Sequence, residues 1–142
     1  MVRANDWIGN ARPMSDNPVN AQKFVLAIDD EPDILDVLRL SLESEGFQVL
    51  TAQGPKNGLD VYEKRRQEIG LVLLDYVMPE MNGDLAFECL QQINPDVRVI
   101  LLTACEDHVA RKLFDDGLRG YIQKPFYIDD LLQRVREELS QT

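Results

Sequence analysis

The chain has 142 residues, of which 44% are hydrophobic, so it is long enough for one packed domain and too short for a two-domain enzyme. Its 25 acidic residues outnumber the 15 basic ones and leave a formal charge of -10, which disfavours general attraction to nucleic acid or to anionic lipid. No apolar run approaches the roughly 20 residues of a membrane-spanning helix, and the start lacks the apolar middle of a secretory signal, so we expect a cytoplasmic protein without membrane insertion.

The first 20 residues differ in pattern from the rest of the chain. They carry two arginines, two aspartates and two prolines, and they show neither a helical nor an alternating apolar pattern. We therefore expect a flexible leader over residues 1–20 and a folded domain over residues 21–142. Met14 lies within this leader and is an alternative start of the chain.

From Phe24 onward, short continuous apolar runs alternate five times with longer amphipathic stretches, which predicts repeated βα units. The runs are not interrupted by polar residues at every second position, as is typical of strands buried on both faces of a parallel sheet. The predicted strands are 24–29, 47–52, 71–75, 98–103 and 120–124, and the predicted helices are 33–45, 56–68, 84–93, 107–115 and 128–140. Right-handed crossovers between such units produce an open, doubly wound α/β sheet.

Apolar spacing in the first and last predicted helices indicates which residues share a face. Pro32 in the first turn and Gly46 after the last turn fit the start and stop of the first helix. The positions that share a face are Ile34, Val37, Leu38 and Ser41 in the first helix, and Ile128, Leu131, Leu132, Val135 and Leu139 in the last.

Residues that can carry chemistry occupy the carboxyl ends of the predicted strands, where doubly wound sheets bind ligands. The first strand leads into Asp29, Asp30 and Glu31, the third into Asp75, the fourth into Thr103 and the fifth into Lys124. Clustered carboxylates repel one another and raise each other's pKa unless a cation compensates. Mg²⁺ is the hard cation normally held by one or two carboxylates together with waters and a phosphate. The pattern therefore indicates phosphoryl chemistry at a Mg²⁺ site.

Asp75 ends the hydrophobic run LVLLD and is the candidate nucleophile, because a carboxylate can form an acyl phosphate. In such a reaction Lys124 and Mg²⁺ would neutralise the transferring group. The Thr103 hydroxyl would donate a hydrogen bond to one of its oxygens. These three side chains are the predicted catalytic residues.

Four segments resemble a known family when they are taken together. AIDDEPDIL, LVLLDYVMPEMNG, VILLTA and GYIQKPF occur in the order and at spacings similar to those of the receiver (CheY-like) domain of bacterial two-component response regulators. The resemblance covers Phe24 to about Leu139. It implies a flavodoxin-like (βα)5 fold with strand order 2-1-3-4-5.

The same resemblance implies a role for each site residue. Asp75 would accept a phosphoryl group from a sensor histidine kinase or a histidine phosphotransfer domain. Thr103 and Lys124 would hold the phosphate, and Thr103 and Tyr121 would switch a surface on helix 4, strand 5 and helix 5 that binds a downstream protein. The implied Mg²⁺ ligands are Asp29, Asp30, Asp75 and the Val77 backbone carbonyl, with Asp29 acting mostly through water.

Two alternatives remain open from the residues alone. A haloacid-dehalogenase-like phosphatase uses the same kinds of group, but its nucleophile ends the first strand and a second aspartate follows two residues later as general acid. Here the acidic pair comes first and Val77 occupies that second position, so we expect a signalling phosphoacceptor and not an enzyme. The other alternative is the N-terminal part of a longer regulator with an output domain, whereas a complete chain of this length would be a single-domain regulator.

Overall fold

The computed structural model describes residues 23–104 and 107–140, apart from the side chains of residues 107–110. The predicted leader and the alternative start at Met14 lie outside these residues. The strands are β1 (Phe24–Asp29), β2 (Gln48–Gln53), β3 (Ile69–Asp75), β4 (Val99–Thr103) and β5 (Gly120–Gln123). The helices are α1 (Pro32–Ser44), α2 (Pro55–Arg65), α3 (Gly83–Ile93), α4 (Asp107–Asp115) and α5 (Ile128–Leu139), and a short 3-10 helix, Arg66–Glu68, follows α2.

The five strands form one parallel sheet in the order β2-β1-β3-β4-β5. This confirms the predicted α/β class and the strand order that the resemblance implied. β1 and β3 lie side by side at the centre of the sheet, with Leu26 opposite Val72 and Ile28 opposite Leu74. Because all strands run the same way, their carboxyl ends share one edge, which is where the predicted site residues should meet.

The hydrophobic core lies on both faces of the sheet. Along β3, Val72 and Leu74 pack in the cluster under α2, α3 and α4, whereas Leu71 and Leu73 pack in the cluster under α1 and α5. All four side chains are fully buried, which confirms the interpretation of the continuous apolar runs. Each buried leucine contributes about 1.5–3 kcal/mol to folding, so the sheet is a firm support for the loops at its edge. No helix in the described part of the chain has the length and apolar content needed to cross a bilayer.

The inner face of α1 differs from the predicted one. The buried residues of this helix are Leu35, Leu38 and Leu42, while Val37 is 50% exposed. The three leucines follow the same helical spacing as the predicted set and bury more apolar surface than a face that includes Ser41. The stripe predicted in α5 is confirmed, because Leu131, Leu132, Val135 and Leu139 are buried and Ile128 packs at its edge.

Several element boundaries lie one to three residues from their predicted positions. β3 begins at Ile69, two residues earlier than predicted, and it includes Gly70, where a Cβ would lie 2.9 Å from the Leu139 side chain. α2 ends at Arg65, three residues before the predicted end, and the 3-10 helix that follows carries Glu68, which pairs with Arg65. β5 ends at Gln123, which leaves Lys124 just beyond the strand.

Candidate functional site

Three aspartates meet at the carboxyl edge of the two central strands. Asp29 is the last residue of β1, Asp75 is the last residue of the neighbouring β3, and Asp30 follows in the bend after β1. One carboxylate oxygen from each lies within 4.8 Å of the others. Asp29 is 1% exposed and Asp75 is 5% exposed, while Asp30 is partly open to solvent. The sheet therefore brings together the three acidic residues predicted as metal ligands.

Lys124 reaches this cluster from the fifth strand. Its backbone amide donates to the Thr103 carbonyl at 2.8 Å, which extends the β4–β5 pairing one step past Gln123. Its ammonium group lies 2.8 Å from Asp75 Oδ1 and 3.6 Å from Asp29 Oδ2. The first contact is a charge-assisted hydrogen bond, and the second is an ion pair too long to be a hydrogen bond. The side chain thus spans the end of β4 to reach β3.

The other predicted residues lie on β4, on β5 and in the loop after β3. Thr103 is buried at the end of β4, the strand beside β3. Val77 lies in the loop after β3 and is 61% exposed. Tyr121 lies on β5, where its ring meets the ring of Phe114 from α4 edge to face, with centroids 6.1 Å apart. This pair is at the junction of α4 and β5, away from the three aspartates along the sheet.

Burial and charge set the ionisation of the site in opposite directions. Burial raises the pKa of Asp29 and of Asp75, and the nearby carboxylates raise both further, although Lys124 counteracts part of this effect. Burial lowers the pKa of Lys124, but the hydrogen bond to Asp75 and the surrounding negative charges outweigh it and raise that pKa overall. Added positive charge would therefore stabilise the ionised form of both aspartates, while Lys124 stays protonated.

One buried oxygen supports a cation at this site. Asp29 Oδ1 accepts a hydrogen bond from the Glu31 amide at 2.9 Å, whereas Oδ2 is buried without a hydrogen-bond partner among the described residues. An unsatisfied buried polar atom is costly, so natural proteins normally supply water or an ion to it. The three clustered side chains offer carboxylate oxygens, which are suitable ligands for a hard divalent cation such as Mg²⁺. The residues present fit such an ion.

Gly83 fixes the loop that follows Asp75. Its amide donates to the Tyr76 carbonyl at 2.6 Å, and a Cβ at this position would lie 2.8 Å from the Tyr76 Cα and 3.0 Å from the Asp75 carbonyl oxygen. Only glycine lets α3 begin so close to the end of β3. Gly83 is therefore needed for close packing of the backbone beside the candidate nucleophile, in addition to its place in the loop.

The end of β2 contributes a contact that the sequence interpretation omitted. The predicted site residues come from the ends of the other four strands, but Gln53 ends β2 at the same edge and donates a hydrogen bond to the Asp30 carbonyl at 3.2 Å. The signal was present, since Gln53 is a polar residue at a strand end. A single amide side chain has no acid, base or nucleophile chemistry, so its residue type alone does not predict a role at the site.

Comparison with known proteins identifies the family. A sequence profile described as the response regulator receiver domain matches residues 25–136. The chain belongs to this family. The receiver domain is 36% identical to the transcriptional regulatory protein GlrR of Escherichia coli over an alignment of 121 residues, and the match covers 83% of this chain and 26% of that protein. It also spans about half the length of several other curated relatives.

Solved structures agree with the fold. A response regulator receiver domain protein from Clostridium thermocellum superimposes with a TM-score of 0.79 at 28% identity, covering 84% of this chain and 95% of that one. The response regulator TrrA from Thermotoga maritima, solved in complex with Mg(2+)-BeF, has a TM-score of 0.71 at 30% identity and covers 81% and 97%. This chain is thus a receiver domain of two-component signalling. That family differs from the haloacid-dehalogenase-like phosphatases, which are the alternative left open by the residues alone.

Proposed function

We propose that this receiver domain accepts a phosphoryl group on Asp75 from a phosphorylated histidine of a sensor kinase or a phosphotransfer domain. The contact that supports this assignment most directly is the 2.8 Å hydrogen bond between Lys124 Nζ and Asp75 Oδ1 at the carboxyl edge of the sheet. The buried carboxylate of Asp75 supplies the nucleophile for phosphoryl transfer, and the ammonium group of Lys124 supplies part of the charge neutralisation. The product is a phosphorylated state of the domain itself, so its role is that of a phosphoacceptor without catalytic turnover.

The transfer step follows from these positions. A carboxylate oxygen of Asp75 attacks the phosphorus in line, the new P–O bond forms as the P–N bond breaks, and the bonding pair returns to the imidazole of the donor. Lys124 then moves its hydrogen bond from the carboxylate to a phosphoryl oxygen. Thr103, buried at the end of the adjacent strand, donates its hydroxyl to a second phosphoryl oxygen. In this proposal Lys124 and Thr103 together donate two hydrogen bonds to the transferring group and offset part of its negative charge.

We assign the metal site to Mg²⁺, held by Asp30, Asp75 and the Val77 backbone carbonyl, with Asp29 acting mostly through water. Two observations support this assignment: the three carboxylates are clustered, and the buried Asp29 Oδ2 has no hydrogen-bond partner among the described residues. When bound, Mg²⁺ supplies positive charge that offsets the carboxylates and the phosphoryl oxygens. TrrA, a relative of 30% identity, was solved with Mg(2+)-BeF, which is further support.

We propose that phosphorylation is transmitted through Thr103 and Tyr121 to the face formed by α4, β5 and α5. Three aromatic rings mark this face: Phe114, Tyr121 and Tyr127, of which Tyr127 is 80% exposed. Thr103 moving towards the phosphate would vacate space for the Tyr121 side chain. The contact between Thr103 and the phosphate can shift the equilibrium between the inactive and active conformations if these differ in free energy by only a few kcal/mol. Because the net charge is -10, we expect a cytoplasmic protein partner and not nucleic acid.

Phosphorylation by a small donor tests the assignment of Asp75. Incubation with acetyl phosphate or phosphoramidate and Mg²⁺ should add the mass of one phosphoryl group, and chelating the metal should prevent it. Asp75→Asn should abolish the adduct, whereas Asp96→Asn, at an exposed position in the loop before β4, should not. An adduct of unchanged yield in Asp75→Asn would refute the proposed acceptor.

Amide hydrogen exchange tests the proposed switch. After phosphorylation, protection should change in β4, α4 and β5, with the largest effects near Thr103 and Tyr121. Changes confined to residues 24–60 would contradict the assignment of the α4, β5 and α5 face. Tyr121→Ala should leave the phosphorylation yield intact while weakening the response in α4, because the residue lies outside the carboxylate cluster.

A further inference from the structure

Gln53 connects the second strand to the metal-site loop. It is the last residue of β2 and pairs with Asp29 in the register of β1 and β2. Its side-chain amide Nε2 donates to the backbone carbonyl of Asp30, the next residue along, at 3.2 Å. A side chain from the neighbouring strand thus holds the main chain of a candidate metal ligand.

Gln53 is itself held in place by two contacts around it. Asn57, in the first turn of α2, donates from Nδ2 to the Gln53 carbonyl at 2.6 Å. The Gly54 amide donates to the Asp29 carbonyl at 2.9 Å and keeps the start of the β2–α2 loop against β1. The amide of Gln53 therefore projects from a backbone that is fixed on both sides.

Asp30 is the acidic residue that needs such support most. Asp29 and Asp75 are the last residues of their strands and are buried, whereas Asp30 follows in a bend and is partly open to solvent. Asp29 also has its carboxylate fixed by the Glu31 amide. Any freedom that a carboxylate outside the strands loses when a metal binds weakens that binding, so a contact that holds its main chain beforehand favours it.

We propose that Gln53 is a positioning residue for the metal site, acting through the Asp30 main chain and not as a ligand. This inference rests on the proposed function, in which Asp30 holds Mg²⁺. Residues that orient metal ligands typically change metal affinity by about 10- to 100-fold when they are removed. Gln53 is exposed and holds a backbone atom, so we expect a smaller effect, about three- to tenfold.

Calorimetric titration of the full chain with MgCl₂ tests this role in four proteins. The wild type is compared with Gln53→Ala, with Gln53→Met, and with Gln92→Ala, which removes an exposed glutamine from α3. Methionine keeps the length of the side chain but has no amide donor. Both variants at Gln53 should raise the dissociation constant for Mg²⁺ by about three- to tenfold, and Gln92→Ala should leave it unchanged.

Two further readouts separate positioning from general stability. The melting temperature in EDTA should be the same in all four proteins, because the hydrogen bond is exposed and contributes little to folding. The phosphorylation rate of the Gln53 variants should fall at Mg²⁺ concentrations below saturation and recover at saturation.

The outcomes distinguish this inference from the proposed function. Wild-type affinity in both variants at Gln53, or wild-type affinity in Gln53→Met alone, would overturn the role of the amide donor. Weaker binding that tracks a lower melting temperature in EDTA would overturn it as well. If the wild-type chain itself bound no Mg²⁺, the proposed metal site would fall, and the inference with it.

Discussion

Replacing Asp29 by asparagine should stabilise the metal-free protein, although Asp29 is one of the most buried polar residues. Its carboxylate lies within 4.8 Å of those of Asp30 and Asp75 and 3.6 Å from the ammonium group of Lys124. At an effective dielectric constant of about 20, each repulsion is at least about 3.5 kcal/mol and the attraction is about 4.6 kcal/mol. The two repulsions together exceed the attraction by about 2 kcal/mol. Asp29→Asn removes this net electrostatic penalty.

The substitution changes little else at this position. An asparagine Oδ1 still accepts the hydrogen bond that the Glu31 amide donates. The neutral side-chain amide of asparagine attracts the Lys124 ammonium group less strongly than a carboxylate oxygen does. We therefore expect a net increase of about 1–2 kcal/mol in the free energy of unfolding. The matched control is Asp96→Asn, whose exposed side chain should change stability by less than about 0.5 kcal/mol.

The gain should depend on pH in a defined direction. Burial and the neighbouring carboxylates raise the pKa of Asp29 above its ordinary value of 3.8. A raised pKa means that the folded protein gains stability as pH falls through that pKa, because protonation removes the buried charge. The advantage of Asp29→Asn should therefore be largest near neutral pH and should shrink in acid, where the wild-type carboxyl is already neutral.

Urea denaturation in EDTA and in Mg²⁺ measures both effects. Mg²⁺ should stabilise the wild type by about 2.7 kcal/mol at a concentration of 100 times its dissociation constant. Asp29→Asn should gain less, because a neutral amide attracts the cation weakly. A variant that is less stable than the wild type in EDTA at neutral pH would show that the attraction to Lys124 dominates, and the reasoning would be wrong.

Three further predictions concern the loop after β3 and the core. Gly83→Ala should lower the free energy of unfolding by about 1–3 kcal/mol through overpacking against Tyr76. Gly46 has a positive φ of 92° but open space around an added Cβ, so the control Gly46→Ala should lower the free energy of unfolding by only about 1 kcal/mol in the same denaturation assay. Equal decreases in the two variants would contradict the packing argument. Val77→Asn should speed decay of the phosphorylated form severalfold, because valine has no polar atom to orient the attacking water; a slower or unchanged decay would refute this. Burial raises the pKa of Tyr62 above its ordinary value of 10.0. Ionisation of Tyr62 should therefore leave the free energy of unfolding unchanged below pH 10 and lower it above pH 10. In urea titrations, Tyr62→Phe should make that decrease shallower.

The sequence by itself determined the strands and the residues at their ends. A strand buried on both faces appears as an unbroken apolar run, such as residues 71–75, because neither face tolerates polar side chains. Asp29 and Asp75 end such runs, so their place at the carboxyl edge follows from chain order alone. The apolar stripe of α5 was equally clear, since its residues recur at helical spacing and pack on one side of the sheet.

Only the tertiary structure decided which of these residues meet and how closely. The hydrogen bond from Lys124 to Asp75 joins residues 49 positions apart, and that of Gln53 to Asp30 joins residues 23 apart. Such contacts depend on side-chain reach between neighbouring strands, which the pattern of apolar and polar residues within one segment does not specify. The face of α1 that packs on the sheet was decided in the same way, because several rotations of that helix present apolar residues and only the sheet selects one.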